Sequence, residues 1–320
     1  MGVLLQTLVS GAAAGVVYAL IALGATLLAG LVRVLPLAHG DLVAGGTGVA
    51  VVLVLGTTPV AAALGLGPAL GLVVVTPAAS AALSVVVYAL VVRPAVRSDG
   101  PDAGSGDGAA ALGWAVGAVA TGLLVRAGLA RAFPRDATAV PDPLRLAALA
   151  GGDVLRLPGG ATVPGRLLPA IALGLLVTLA AERLLVRSRF GLAARAVSDD
   201  PVAATLVGID ISRVLVGAFA AAGLLAGAAG LLIVPDHPLT SETGVLLGLK
   251  AFAAALLGGL GSLRGAVLAG LLLGVAESAV VAVPSLGPAY AQVFALGVLV
   301  VVVALRPTGL RSADRARTMV

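Results

Sequence analysis

The sequence predicts an all-α polytopic membrane protein, a single bundle of eight or nine transmembrane helices with re-entrant or broken helices among them. Three observations lead there. Of 320 residues, 60% are hydrophobic and 11% charged, against roughly 25% charged in an ordinary soluble domain, so polar surface is too scarce to coat a globule. Several apolar runs approach or exceed the ~20 residues that cross a bilayer as a helix, and Gly2 to Val32 carries no charge. The charges that exist are mostly arginines, with Lys250 the only lysine, and they sit at the ends of the apolar runs, where they orient spans.

Composition also excludes functions. A net charge of +5 without a basic stripe or interleaved aromatics argues against nucleic acid. The absence of cysteine excludes disulfides, thiol catalysis and zinc-thiolate sites. No phosphate-binding G-x-x-x-x-G-K-[ST] loop is present, so no cofactor is expected in this chain and no nucleotide hydrolysis by it. "GLGPALG" at 65–71 has no strand before it and is read as a membrane loop.

In chain order, the first span lies within 6–30. It lacks a basic leader and is too long for a signal peptide's apolar core, so it is expected to be retained. "LAHGD" follows, with His39, Gly40 and Asp41 at a membrane boundary. Either Asp41 caps the next helix from a turn, or a broken helix points its positive end into a solute pathway. The run 42–56 is glycine-broken and about 22 Å long as a helix, hence a short span or a re-entrant segment. Next come 69–92, a Gly/Asp/Ser-rich linker at 93–108, and 109–125. The loop 126–165 contains "DVLRLPGGATVPG", which alternates like a small strand pair. Spans at 166–182, 214–234, 249–263, 266–283 and 289–305 complete the set, with a tail at 306–320.

Arg306, Arg311, Arg315 and Arg317 place the tail in the cytoplasm. Counting back, the loop 183–213 (Arg183, Arg187, Arg189, Arg195, Arg213) and the linker 93–108 are cytoplasmic as well. The loop 126–165 then falls outside, against the rule, although it holds Arg126, Arg131, Arg135, Arg145 and Arg156. A re-entrant 42–56 gives eight spans and an inside N-terminus; a spanning one gives nine and an outside N-terminus.

Within the spans, Glu277 would cost at least ~2.5 kcal/mol unless paired or wet. It is expected either to pair with Lys250 or Arg264 or to line a pathway. Lys250 is read as opening its span, where its stem can snorkel. Glu182 and Arg183 mark a boundary, and His237 lies in a surface loop. The glycine-rich 258–274 allows close helix approach in lipid. The short spans 42–56 and 249–263 lie in opposite halves, as interrupted helices that frame a midplane site do.

The most polar ordered feature is "RAVSDDPVAATLVGID" at 195–210. Asp200 is an N-cap, Pro201 suits the first helical position, and Gly208 suits a left-handed stop. The helix is about 201–207, with Val202, Leu206 and Ile209 on one apolar face; 187–197 before it is a basic amphipathic piece. A helix this short is unstable alone. It either lies on the membrane or docks into a cytoplasmic partner, as helix-in-groove recognition requires.

Here the sequence resembles a family. "RFGLAARAVSDDPVAATLVGIDISRV" is similar to the cytoplasmic coupling loop of permease subunits of branched-chain amino-acid ABC importers (the Liv system). So are "GVVYALIALGATLLAGLVRVLPLAHGDLVAGG" to the family's first block and "GVLLGLKAFAAALLGGLGSLRGAVLAGLLLGVAES" to a later one; "LRPTGL" matches its usual ending. The likeness is greater to the first (LivH-like) permease than to its partner permease. The chain departs at Pro36-Leu37, where the family has asparagine–phenylalanine, and in its few aromatics.

The resemblance implies a multi-pass inner-membrane permease. Its partners would be two ABC ATPase subunits that carry ATP and Mg, a second permease subunit (homologous or identical), an extracytoplasmic substrate-binding protein and membrane lipid. It places ATPase coupling on Gly191, Arg195, Asp199, Asp200, Ala203, Ala204, Leu206, Gly208 and Asp210. The pathway candidates are His39, Gly40, Asp41, Lys250 and Glu277. The expected function is import of branched-chain or related hydrophobic amino acids by ATP-driven alternating access. Permeases for urea or short amides, an ion-coupled transporter without ATPases, and a membrane scaffold are the alternatives.

Overall fold

The computed structural model describes residues 2–32, 38–56, 64–94, 108–133, 140, 142–149, 152, 154–157, 161–283 and 287–305. Pro36-Leu37, most of the linker 93–108 and the tail 306–320 lie outside these residues. The described chain is helical apart from one hairpin. The helices are α1 (Gly2–Val32), α2 (His39–Leu55), α3 (Leu66–Val87), α4 (Gly108–Ala132), the one-turn α5 (Leu146–Leu149), α6 (Leu167–Arg187), α7 (Arg189–Asp199), α8 (Pro201–Leu206), α9 (Ile211–Ile233), α10 (Thr243–Gly258), α11 (Leu263–Val281) and α12 (Gly287–Leu305). α3 continues through a π-helical turn at Tyr88–Val92.

Every apolar run of the sequence becomes a helix. Among the described residues, five stretches are long and apolar enough to cross a membrane: α1, Leu66–Val92, α6, α9 and α11. α2 and α10, with 17 and 16 residues, are about 25 Å long.

α1 is the central helix. Each residue from Gly15 to Ala29 is buried, which is why its sequence is apolar on all sides and not on one stripe. It packs most extensively on α11, and further on α9, α6 and α10. The α1–α11 contact is made by small residues: a Cβ on Gly274 would stand 2.3 Å from the Gly15 nitrogen, and one on Gly270 2.6 Å from the Ala19 nitrogen. The backbones touch, so dispersion between them holds the pair where no hydrophobic effect acts. Gly274→Val is therefore expected to overpack the pair, at a cost of about 1–3 kcal/mol or more. Gly297→Ala, which meets nothing within 4 Å, is expected to leave the melting temperature of the detergent-solubilised protein unchanged.

Helix direction follows from which ends meet. The C-terminal end of α1 lies beside α7, where the Ser198 hydroxyl donates to the Gly30 carbonyl at 2.7 Å. α2 and α4 run parallel, with Asp41 beside Gly122 and Gly48 beside Leu129. α3 begins near the end of α2, where Gly71 meets Val54, and ends where the Tyr88 and Ser212 hydroxyls are 3.1 Å apart. α6 starts where Arg166 donates to Leu232 Oof α9 at 2.7 Å and ends at α7. α2 begins beside Gly24 of α1, short of that helix's end, and runs to the start of α3. Gly2 stands at the end of α1 opposite α7.

Several boundaries differ from the sequence reading, α6 for one running on to Arg187, and two of them matter most. α10 begins at Thr243, six residues before 249, because Lys250 lies inside the helix instead of opening it. The helix stops where Gly259 and Gly261 take φ of 88° and 91°, conformations natural to glycine. α4 runs on to Ala132, so Arg126 and Arg131 are helical and not loop residues. That removes two arginines from the loop whose charge conflicted with the orientation rule.

The other described residues of 126–165 fold at the end opposite α7–α8. Val154–Leu157 (β1) pairs antiparallel with Ala161–Pro164 (β2), Leu155 facing Val163, as the alternation in the sequence suggested. Asp142 accepts from the Leu144 and Leu146 amides at 3.1 and 2.7 Å and so starts α5.

Candidate functional site

The α7–α8 knob is built from caps. The Ser188 hydroxyl accepts from the Gly191 amide at 3.0 Å and starts α7. The Asp200 carboxylate accepts from the Val202 and Ala203 amides at 2.9 and 3.0 Å, with Pro201 at the first position of α8. Gly208 takes φ of 85°, and the chain turns into α9, whose N-cap is Asp210, accepting from the Arg213 amide at 3.2 Å. The capped helix read from sequence is present, ending one residue early.

The knob is also keyed to the bundle. Gly191 lies so close to α6 that a Cβ would stand 1.6 Å from the Leu185 carbonyl oxygen. Arg195 donates to the Val186 carbonyl at 2.9 Å and reaches that of Leu185 at 3.4 Å, a cation at the negative end of α6. Ala194, Val197, Ala204 and Val214 form a small core of their own, joined by Leu31 and Ile209. Ile209 therefore turns back toward the bundle. It does not share the face of Val202 and Leu206, because the Gly208 turn lies between them.

What remains outward is apolar. Leu206 is 83% exposed, Val207 76% and Val202 45%. Ala203, Asp199 and Asp200 are exposed around them, while Ala204 is buried beneath. A cavity of about 360 Å³ adjoins, between Tyr88 and Arg93 at the end of α3 and Thr205, Ile209 and Ser212.

A second set of polar groups lies inside the bundle. Lys250 of α10 is paired with Glu277 of α11. Tyr18 of α1 donates to the second Glu277 oxygen at 2.8 Å and accepts from Lys250 Nζ at 3.2 Å. Lys250 and Glu277 side chains are each 12% exposed, and Tyr18 is 4% exposed. Three helices are tied by a closed set of charge-assisted bonds, the strong class of hydrogen bond. Of the pairings expected for Glu277, the one with Lys250 is found. Arg264 instead holds Glu182, Nε to Oε1 2.7 Å. Tyr18 was not singled out in the sequence. A tyrosine inside an uncharged apolar run, in a chain with three tyrosines, was the available signal.

His39, Gly40 and Asp41 form a packed junction at the start of α2. The cap is Ala38, whose side chain makes no capping bond, so Asp41 is not the N-cap expected. It lies in the first turn and receives Arg126 of α4 in a two-pronged pair, Nε–Oδ1 3.1 Å and Nη2–Oδ2 3.2 Å. The guanidinium outcompetes the amides because it neutralises a carboxylate that is 4% exposed. A Cβ on Gly40 would stand 2.2 Å from the Gly244 carbonyl oxygen of α10. The two short apolar helices α2 and α10 thus meet, backbone on backbone. His39 is buried beside Gly24, with both ring nitrogens unpartnered.

At the opposite end, buried Arg166 binds Asp236 at 2.6 Å. Burial raises the Asp236 carboxyl above the usual range, against the pull of Arg166. His237 is exposed there, as expected of a surface loop. Among the described residues no cluster of metal-ligating side chains occurs.

Comparison with known proteins adds a family. A family model described as "Branched-chain amino acid transport system / permease component" matches residues 7–303. The high-affinity branched-chain amino acid transport system permease protein BraD of Pseudomonas aeruginosa is 30% identical over 307 residues, 96% of this chain and 95% of that protein. The corresponding permease proteins LivH of Salmonella typhimurium and Escherichia coli are 38% and 37% identical over 124 residues, 38% of this chain and 40% of theirs.

Proposed function

The chain belongs to the family of branched-chain amino-acid transport system permeases, and from that premise we propose that it is the pathway subunit of an ATP-driven importer of branched-chain amino acids. It is a multi-pass membrane protein, and its proposed site is the bacterial inner membrane. The proposed partners are two ATPase subunits, which hold ATP and Mg, a second permease copy or homologue, and an extracytoplasmic binding protein.

The observation that carries this reading is the α7–α8 knob. Val202 and Leu206 are left bare on a helix of six residues, and Val207 just after it, although the helix is capped and keyed to the bundle. A rigid apolar projection with a charged surround suits a groove in a partner. Its fixings define where a pull would go: through Arg195 and Gly191 to α6, through Ser198 to α1, and through Asp210 to α9. α1 in turn carries Tyr18, which bonds Lys250 and Glu277. We assign that triad to the solute route, where shifting α1 against α10 and α11 would make or break its bonds. The junction of His39, Gly40 and Asp41 would hold α2 against α4 and α10 during that shift. In alternating access, closure of the ATPase dimer would move the knobs and switch the face to which the route opens.

The test is leucine uptake by vesicles containing the complete transporter, with and without an ionophore. ATP-dependent uptake that persists when ion gradients are collapsed is the expected result. Uptake that vanishes with the gradient would instead indicate an ion-coupled carrier.

A further inference from the structure

We propose that the outward face of α6, where that helix passes into α7, is a binding site for an acidic phospholipid of the leaflet on the α7–α8 side. Its phosphate lies among Arg183, Arg187 and Arg189, and its acyl chain along Leu176, Leu179 and Leu184. The site rests on the chain being a membrane protein; only its effect on coupling rests on the transport reading above.

α6 is two-sided along its length. Ala170, Gly174, Thr178 and Leu185 are buried, and that side packs chiefly on α1. Leu168, Leu176, Leu179 and Leu184 are exposed, and so are Arg183 and Arg187. Helical spacing puts these exposed positions on one side of the helix. From Leu168 to Arg183 the stripe is about 22 Å long, most of a ~30 Å hydrocarbon core. The leucines therefore meet acyl chains, and the arginines meet headgroups. Arg189, exposed in the first turn of α7, adds a third cation.

Charge selects the occupant. The described acids at this end of the bundle are engaged elsewhere. Glu182 holds Arg264, Asp210 holds Arg213, Asp200 caps α8, and Asp199 has a partner as well. Among the described residues, Arg183, Arg187 and Arg189 form no ion pair. Arg195 differs, since its guanidinium binds carbonyls of α6. Basic clusters beside a membrane span attract anionic headgroups, and the arginine fork fits phosphate oxygens. A second copy of this chain, meeting the face across a two-fold axis, would set like charges against each other. A soluble anion gains nothing from Leu184, which lies exposed between the arginines. A phosphate that bridges Arg187 of α6 and Arg189 of α7 fastens the joint through which the proposed pull reaches α6.

The test is photolabelling of the complete transporter in phosphatidylcholine vesicles that carry a trace of photoactivatable phosphatidylglycerol, with adducts on this chain mapped by mass. Adducts are expected to concentrate on α6 and α7 between Leu176 and Leu192. Unlabelled phosphatidylglycerol is expected to displace them; further phosphatidylcholine or inorganic phosphate is not. Arg183→Gln, Arg187→Gln and Arg189→Gln together are expected to cut the labelling about a hundredfold, on the order of fivefold per cation. Lysine at the same three positions keeps the charge and is expected to keep most of the labelling. The competition is read on the native chain, so it stands even where the glutamine variant fails to assemble. Labelling no greater on this face than on the other exposed helices, as when a partner protein covers it, would overturn the proposal. So would displacement by inorganic phosphate, or by phosphatidylcholine as completely as by phosphatidylglycerol. Adducts that form as expected while leucine uptake fails defeat the transport reading alone; uptake without a preferred adduct defeats this inference alone.

Discussion

Replacing Leu206 by aspartate is expected to leave the permease folded and to abolish ATP-driven uptake. Leu206 is 83% exposed, so the isolated subunit loses almost no packing when it changes. Burying a leucine in a partner's groove is worth about 1.5–3 kcal/mol, a factor of roughly ten to a hundred in affinity. An aspartate in its place adds the cost of desolvating a charge. Asp200→Ala is the milder companion: it removes the acceptor of the Val202 and Ala203 amides and costs about 1 kcal/mol of cap. The expected order is near-complete loss of coupling for Leu206→Asp and partial loss for Asp200→Ala, with the melting temperature of the permease itself hardly changed by the first. Basal ATPase activity and uptake measured in parallel would show it. Wild-type coupling in Leu206→Asp would mean that the bare face docks nothing.

The second large effect belongs to the bundle. Glu277→Gln leaves the Lys250 ammonium buried without its counter-charge, at a cost of about 3–5 kcal/mol, and is expected to impair folding. The paired variant Lys250→Met with Glu277→Gln removes both charges and is expected to recover most of the stability, since neutral replacement of a buried pair is often tolerated. Uptake in the double variant should nevertheless fall roughly ten- to hundredfold if the charges also serve the solute, the value of one charged hydrogen bond. The exchange Lys250→Glu with Glu277→Lys separates the roles. A clamp that only holds α10 to α11 works in either polarity, whereas a route arranged for one polarity does not. Full uptake in the exchanged variant would reduce the triad to a clamp.

Much of the architecture was legible in the chain because lipid removes alternatives. Backbone polar groups must be satisfied within each helix, so every apolar run became one. The knob was legible for a different reason: Asp200, Pro201 and Gly208 act through local backbone geometry, which needs no knowledge of the fold. What escaped was long-range pairing. Lys250 looks like a span boundary until Glu277 and Tyr18 are seen around it. Arg126 looks like a loop residue until buried Asp41 claims it. In both cases a charge was taken as the end of a helix, when a partner more than twenty residues away had made it tolerable inside. The outward set of the knob held for two of its three residues: Leu206 and Val202 face out, but the Gly208 turn returns Ile209 to Ala204, and helical spacing ends where the helix does.

The coupling role itself is tested most directly by reconstitution in two lots of vesicles, one with the permease alone and one with its ATPase subunits, binding protein and enclosed ATP. Labelled leucine should accumulate only in the second lot, and stop there when Leu206 is aspartate. Concentrative uptake by the permease alone would contradict a pathway driven from outside through that helix.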